Sequence, residues 1–493
     1  MSLTCILLGF LILFYIRFLL INWRIIKFSW HNRGFFLPVL PFVGSGYVAF
    51  LTGKRPNLLG MSHWLKHHFG APLNLWLGHQ YHYIPLDAEE IRTVLTHPRC
   101  FNKALVYKDV ENVFGKSSLV FIPYEEWKQR RKHFIKGFKP NILKGFIGLI
   151  EANVCKLVEA IRTMENNSVP FERFYSFTFN TFYVTALGLD GSKFKEELIE
   201  FAALREKIEE AVSQKVLNPF VPFYVWQRLF PRGRKTMKYM ERCRVILSRV
   251  IKEKKAQIEN NHAYIENSNE VPLLDLIMSY KSEIMTDEQI YQETVLFTSA
   301  AIETSAYVLF LGFTLLGMHP EVQENIYNEV QLEIGDNELC SSNMKNLKYT
   351  EAVLMEILRL IPPVPAVGRF VGDDVPLSKN KILPKGVDFV AVIHHLHREP
   401  KYWKNPDQFD PTRFLPENIH KIVPGSYIPF SIGARDCIGK HYAMIVLKIA
   451  YANVLRHFRI ATNHKSIEDF ELCSAITVFT SKPIDLRFSP RTK

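Results

Sequence analysis

The ten residues 430–439, Phe-Ser-Ile-Gly-Ala-Arg-Asp-Cys-Ile-Gly, constrain this chain more than any other stretch. Cys437 is bracketed by Gly433 and Gly439, with Arg435 two positions before it. Glycines at that spacing let a loop turn tightly and bring backbone N–H groups close to a single atom. Here that atom is the cysteine sulfur, which as a thiolate accepts those donors and binds a metal. A lone thiolate does not complete a tetrahedral zinc site. His441 is the only other candidate ligand nearby, and two ligands do not make four. A haem iron, already held by its macrocycle, needs only one ligand from the protein. The plainer alternative is a buried free cysteine in a glycine-bounded turn, the commoner fate of an isolated cysteine.

The pattern Phe430-x-x-Gly433-x-Arg435-x-Cys437-x-Gly439 resembles the haem-binding loop of the cytochrome P450 family. The resemblance implies haem b held non-covalently, with Cys437 as its axial thiolate and Phe430, Gly433 and Arg435 against the cofactor. It also implies a fold that is mainly α with a small β-rich lobe, behind an N-terminal single-span anchor. Three further motifs extend it. Trp127 and Arg131 stand four apart on an expected helix, so they share one face. An arginine stacked on a tryptophan is an ordinary surface pairing, but the resemblance implies that both reach a haem propionate, with Arg369 and Arg435 as further propionate ligands.

Thr286-Asp287-Glu288-Gln289 reads as a capping box. It opens a helix expected to run through Gly317 and to end at Pro320. This helix carries Ala300-Ala301-Ile302-Glu303-Thr304-Ser305, an acid beside a hydroxyl in an apolar setting where each needs a buried partner. A threonine here can simply bond a carbonyl in the preceding turn. The family resemblance makes the segment an oxygen-activation groove, with Thr304 orienting protons and Glu303 relaying them from solvent. Two departures stand out. Ala301 replaces the usual glycine and tightens the groove. Ala300 stands where many members of the fatty-acid ω-hydroxylase branch carry a glutamate esterified to haem, and alanine forms no such ester.

Glu356 and Arg359 at i,i+3 face the same side of another expected helix. They resemble the family's Glu-x-x-Arg, which locks to an arginine further on, here Arg413 in Pro411-Thr412-Arg413-Phe414. Segments 349–417 and 426–460 look most like the family 4 branch. Residues 364–395, rich in β-branched side chains, read as a small sheet lining one side of the pocket. Residues 73–77 and 81–85 read as two short strands around Gly78-His79.

The N-terminus bears on location. Leu3 to Ile21 is apolar except for Thr4, Tyr15 and Arg17, a length that spans a bilayer as a helix. A cleaved signal peptide fits less well, since no basic region precedes the run and no small-residue cleavage site follows. Arg24, Lys27 and Arg33 follow it, which places the rest of the chain on the cytosolic side, and the family resemblance implies that the membrane is that of the endoplasmic reticulum. The expected layout is an anchor over 1–28, a proline-rich hinge over 29–55 and a catalytic domain over 56–493. Seven scattered cysteines show no disulfide framework, which agrees with a reducing compartment. Lys and Arg outnumber Asp and Glu by 61 to 49, but no basic–aromatic module argues for nucleic acid. Residues 218–226, with two prolines and four aromatics, read as a poor helix and an adhesive segment, either buried loop or membrane contact. Substrate contacts are expected from loops around 104–122 and 205–230.

The expected activity is insertion of one atom of dioxygen into an apolar substrate of fatty-acid, hormone or xenobiotic class. Its electrons come from NADPH through a separate flavoprotein reductase, with cytochrome b5 as an optional second donor, because this chain carries no nucleotide or flavin motif. The alternatives are a haem-thiolate isomerase or dehydratase, a non-catalytic haem sensor or carrier, and a structural membrane protein without haem.

Overall fold

The computed structural model describes residues 3–32, 58–164, 168–189, 195–216, 221–260, 271–280, 285–378, 380–474 and 476–491. Residues 33–55 of the expected hinge and residues 218–220 and 261–270 lie outside the described residues, while residues 29–31 belong to a helix. Helix α1 (Leu3–Ile21) exposes its apolar side chains, Phe10 at 68% and Leu20 at 71%. It ends at Asn22, where the axis bends by 67° into α2 (Trp23–His31). The straight apolar helix thus stops short of residue 28, and α2 lies on the sheet lobe. Phe28 meets Tyr83 edge to face at 5.1 Å, and Phe18 meets Trp76 at 5.2 Å.

The β lobe is a four-stranded sheet. Strands β1 (Leu73–Leu77) and β2 (Gln80–Ile84) form the expected hairpin, pairing Leu73 with Ile84. After it, Asp87 caps α3 (Ala88–Thr96) by accepting the amides of Glu89 and Glu90. The far half of the sheet comes from β3 (Ala366–Phe370) and β4 (Asp388–Val392). β4 runs parallel to β2 and antiparallel to β3, which pairs Arg369 with Phe389. A strand from the first fifth of the chain and two from its last third therefore share one sheet, and this brings Arg369 to the site.

Apart from three two-stranded sheets the rest is mainly helical: α4 (Tyr124–Phe134), α5 (Ile147–Arg162), α6 (Phe171–Phe182), α7 (Lys195–Val216), α8 (Phe223–Leu229) and α9 (Pro231–Asn260) precede the long α10 (Asp287–Gly317). α11 (Pro320–Glu333), α12 (Lys348–Leu360) and α13 (Lys440–His457) follow. α10 begins with the expected capping box between Thr286 and Gln289. It is apolar and long enough to cross a bilayer, but 72% of its most apolar window is buried inside the protein. Leu309, Leu311, Phe313, Leu315 and Leu316 are fully buried against α6 and α13. Gly312 admits the Tyr451 hydroxyl, which donates to the Val308 carbonyl (2.7 Å); a Cβ at 312 would collide with it. Burial of such side chains is worth roughly 1.5–3 kcal/mol each, which makes α10 the axis of the core.

Two expectations are corrected. Residues 223–229 form a helix, because Pro222 precedes the first turn, where a missing N–H costs nothing. Residues 205–216 belong to α7 and are not a loop.

Candidate active site

The cysteine loop is shaped by backbone constraints. Gly433 has φ +79°, and a Cβ there would collide with the Leu95 carbonyl at the end of α3. Ser431 takes φ +60°, which a non-glycine residue adopts at a cost, so the turn is held by its surroundings. The Cys437 amide donates to the Phe430 carbonyl (2.9 Å), and that of Asp436 to Gly433 (3.1 Å). Cys437 Sγ has accessible surface although protein encloses it. Burial raises its thiol above the ordinary value, while the Gly439 N–H, Arg131 and Lys440 pull it down. A coordinated metal ion would remove the proton outright.

Behind the loop is an ionic network satisfied at Glu356 and Arg359, while Arg413 Nε has no hydrogen-bond partner. Arg359 donates Nε to Glu356 Oε2 (2.7 Å) and Nη2 to Oε1 (2.8 Å), and both residues are fully buried. Its remaining N–H groups reach the carbonyls of His397 (2.8 Å), Pro406 (2.6 Å) and Gln408 (3.1 Å). Glu356 Oε1 also accepts the Asp410 amide (2.8 Å), with Arg413 Nε at 3.5 Å. His397 ties this network to the loop: its Nδ1 faces the Arg359 carbonyl (3.2 Å) and its Nε2 accepts the Ile428 amide (2.8 Å). Only the neutral ring with its proton on Nδ1 makes both bonds, and burial holds its pKa at about 3.

In front of the loop the balance is reversed. Arg369 is fully buried, and its Nε and Nη2 have no hydrogen-bond partner; Nη1 reaches only the Gly368 carbonyl (3.0 Å). Burial lowers its pKa. Arg435 gives its donors to the carbonyls of Phe101, Leu119 and Ile122, and its guanidinium lies 4.5 Å from the Trp127 ring. Burial, then Arg369 and Arg131, lowers Arg435 to about 9. Arg131, 5.4 Å from the same ring, pairs with Asp436 (2.5 Å) and donates to its carbonyl (2.7 Å). Lys103 completes the group: burial depresses it strongly, with Arg369, Arg435 and Arg131 adding repulsion. Four cations thus face one another with Asp436 as their one carboxylate neighbour among the described residues. Lys103 was not legible in the sequence, since a lysine in an irregular segment carries no pattern.

The middle of α10 has accessible surface along Ala300, Ala301, Glu303, Thr304 and Tyr307, a stripe at helical spacing. Ala301 packs on the same apolar cluster as Ala434 and Ile438 of the cysteine loop, so groove and loop share one wall. The helix is unbroken there. Thr304 Oγ1 donates to the Ala300 carbonyl (2.8 Å), the local bond weighed above. Glu303 does not bond Thr304. It accepts from Thr477 Oγ1 (2.5 Å), and burial, then the neighbouring Glu209, pushes its carboxyl well above the usual range. Arg205, paired with Glu209 at 3.1 Å, opposes this. Glu209 and Thr477 come from distant segments and gave no sequence signal.

This donor set fits a haem. It offers one sulfur beside a backbone N–H, orphaned buried guanidinium donors and a cation excess suited to propionates, and an apolar wall for the macrocycle.

The family model described as Cytochrome P450 matches residues 37–488. The chain is 28% identical over 467 residues to Probable cytochrome P450 313a4 of Drosophila melanogaster, covering 89% of this chain and 91% of the relative. It is 28% identical over 413 residues to Cytochrome P450 4V2 of Homo sapiens, covering 80% and 78%. Against Probable cytochrome P450 4ac1 of Drosophila melanogaster it is 27% identical over 467 residues, covering 93% and 88%. The chain belongs to the cytochrome P450 family. It is an oxidoreductase, a monooxygenase whose cofactor is haem b bound through a cysteine thiolate, and membership implies a redox partner, dioxygen and an apolar substrate.

Proposed function

We propose that this chain is a membrane-tethered monooxygenase of the endoplasmic reticulum that hydroxylates an apolar substrate of fatty-acid, hormone or xenobiotic class. The observation that carries this reading is the opposition of a glycine-shaped cysteine loop to four clustered cations that share one carboxylate, Asp436, among the described residues. Cys437 would hold the haem iron through its thiolate, and Arg369, Arg435, Arg131 and Lys103 would hold the propionates, with the Trp127 ring against the Arg131 and Arg435 guanidiniums. Haem held there would supply oxygen activation, placing one atom of dioxygen in a substrate C–H bond while two electrons from the redox partner and two protons reduce the other to water. The protein contributes orientation, a dry wall and protons. Thr304 spends its own proton on the Ala300 carbonyl, so its oxygen is an acceptor that orients a proton-carrying water. Glu303, kept protonated by burial and Glu209, is the reserve from which that water is resupplied.

The electrons come from NADPH through a separate flavoprotein reductase, with cytochrome b5 as a second donor. Residues 1–28 tether the chain to the membrane, 29–55 form a hinge and 56–493 the catalytic domain on the cytosolic side. The exposed apolar surface of α1 supports the tether, and Arg24 and Lys27 just after it support the orientation. Exposed Tyr224, Leu229 and Phe230 on and beside α8 offer a second membrane contact. Phe223 and Trp226 on the same helix are buried, so the segment is core on one face and adhesive on the other.

The test is product formed per NADPH with reductase present. Thr304→Ala is expected to keep haem and substrate binding and NADPH consumption while coupled turnover falls by about 10²-fold. Unchanged coupling would place the proton path elsewhere, and product formed without NADPH or reductase would favour the haem-thiolate isomerase.

A further inference from the structure

A cluster of three histidines stands apart from the haem site and plays no part in the chemistry above. His63, on the helix Leu58–Phe69, meets His394 at a ring-centroid distance of 5.0 Å and His395 at 4.4 Å, both rings nearly perpendicular to its own. His394 and His395 sit on the short turn Ile393–Leu396 that follows β4. One ring nitrogen from each of the three lies within 4.8 Å of the others. His394 and His395 are each 3% exposed, whereas His63 is open to solvent.

Three observations separate this cluster from an ordinary packing of rings. First, His394 Nδ1 is buried without any hydrogen-bond partner, and such a group normally finds one. Second, the hydrogen bonds around His395 settle which of its nitrogens has a free lone pair. The Ser62 hydroxyl gives its only proton to the Leu59 carbonyl (2.8 Å), so at 3.0 Å its oxygen accepts from His395 Nε2. The proton of His395 is therefore on Nε2 and the lone pair on Nδ1. A ligating histidine whose second nitrogen is anchored in this way is the usual arrangement at a metal ion. Third, the two nearby cations have carboxylate partners of their own, Lys66 with Glu399 (3.1 Å) and Arg398 with Asp407 (3.3 Å), which weakens their repulsion of the cluster. Burial lowers His394 and His395 well below the ordinary value, which keeps both in the neutral, ligating form.

We propose that His63, His394 and His395 form a binding site for a divalent transition-metal ion of the zinc type, with a fourth position open to water beside His63. Three imidazole nitrogens and a water make a common zinc coordination set, at metal–nitrogen distances of about 2.0–2.1 Å. Nitrogens around such an ion stand about 3.4 Å apart in tetrahedral geometry, so a set lying within 4.8 Å closes on an ion by small movements of the three rings. The ion joins two distant parts of the chain, the helix Leu58–Phe69 and the end of β4. Three residues beyond His394 is His397, which holds the Ile428 amide at the approach to the cysteine loop. The site is thus a clamp on the lobe that carries the haem loop, and it has no part in the monooxygenase chemistry.

The haem-loaded full chain, freed of metal by chelation, is titrated with Zn2+ against a chromophoric chelator, and Co2+ serves as a spectroscopic probe. One Zn2+ per chain is expected in the wild type, with a tetrahedral Co2+ absorption envelope and a rise in the thermal midpoint. His63→Ala, at an exposed position, keeps the haem spectrum and weakens Zn2+ binding by at least about 10²-fold. Ser62→Ala weakens it by about 10-fold by freeing the His395 ring. His67→Ala and His68→Ala leave it unchanged. Equal Zn2+ affinity in wild type and His63→Ala would overturn the proposal. So would an affinity lost in His67→Ala instead, since it would belong to the exposed pair further along the helix.

Discussion

The two sides of the cysteine loop treat buried charge in opposite ways. Behind it, Glu356 and Arg359 are fully buried, and every Arg359 donor group finds an oxygen. In front of it, Arg369 is equally buried and keeps two donors unpaired, with Lys103, Arg131 and Arg435 close enough to repel one another. A satisfied network locks structure, and an unsatisfied one is the mark of a site built for a partner of opposite charge. The difference assigns the rear network to folding and the front cluster to an anionic cofactor edge.

The comparison breaks most visibly at Glu356. Glu356→Ala leaves Arg359 buried and uncompensated, a loss of about 3–5 kcal/mol. Little folded holoprotein is expected, as read by the haem-to-protein absorbance ratio of purified material. Near-normal haem content would show the rear network to be dispensable. Arg369→Met probes the other side: the chain should fold and load, because the deleted charge lacked a partner, yet lose haem faster. A charged hydrogen bond of roughly 1.5–3 kcal/mol corresponds to a transfer to apomyoglobin at least about 10-fold faster. If Arg369→Met instead abolished expression, the two sides would not differ in kind.

The smallest effect belongs to an intermediate case. Glu293 on α10 pairs with Arg130 (2.7 Å) and accepts the Leu119 amide (3.0 Å), yet burial pushes its carboxyl up from 4.5 to about 7. The folded chain then holds a proton that the unfolded chain releases between those values. Its contribution to stability is complete below the lower value and is lost as pH rises through the upper one. The slope is at most about 1.4 kcal/mol per pH unit. Glu293→Gln should flatten the thermal midpoint across that window, and an unaltered pH profile would mean that Arg130 keeps Glu293 charged throughout.

What was legible in the sequence follows from locality. The cysteine loop, the capping box at Thr286 and the spacing of Glu356 and Arg359 lie within single turns or loops, where residue order dictates geometry. Arg413 is the exception, reached only through the family pattern. Lys103, His397, Glu209 and Thr477 were missed because each gains its meaning from a partner far away in the chain: the sheet brings Arg369 to Lys103, and the C-terminal segment brings Thr477 to Glu303. The helix at 223–229 was misread because proline and aromatic content outweighed the position of Pro222, which lies before the first turn.

The central claim is that the Cys437 thiolate is the axial ligand on which both sides of the loop converge. The most direct measurement is the absorption spectrum of the reduced, carbon monoxide-treated holoprotein. The red-shifted Soret band of thiolate ligation is expected in the wild type and should vanish in Cys437→Ser while the other six cysteines remain. An imidazole-type band in catalytically active wild type, or a shifted band that survives Cys437→Ser, would contradict it.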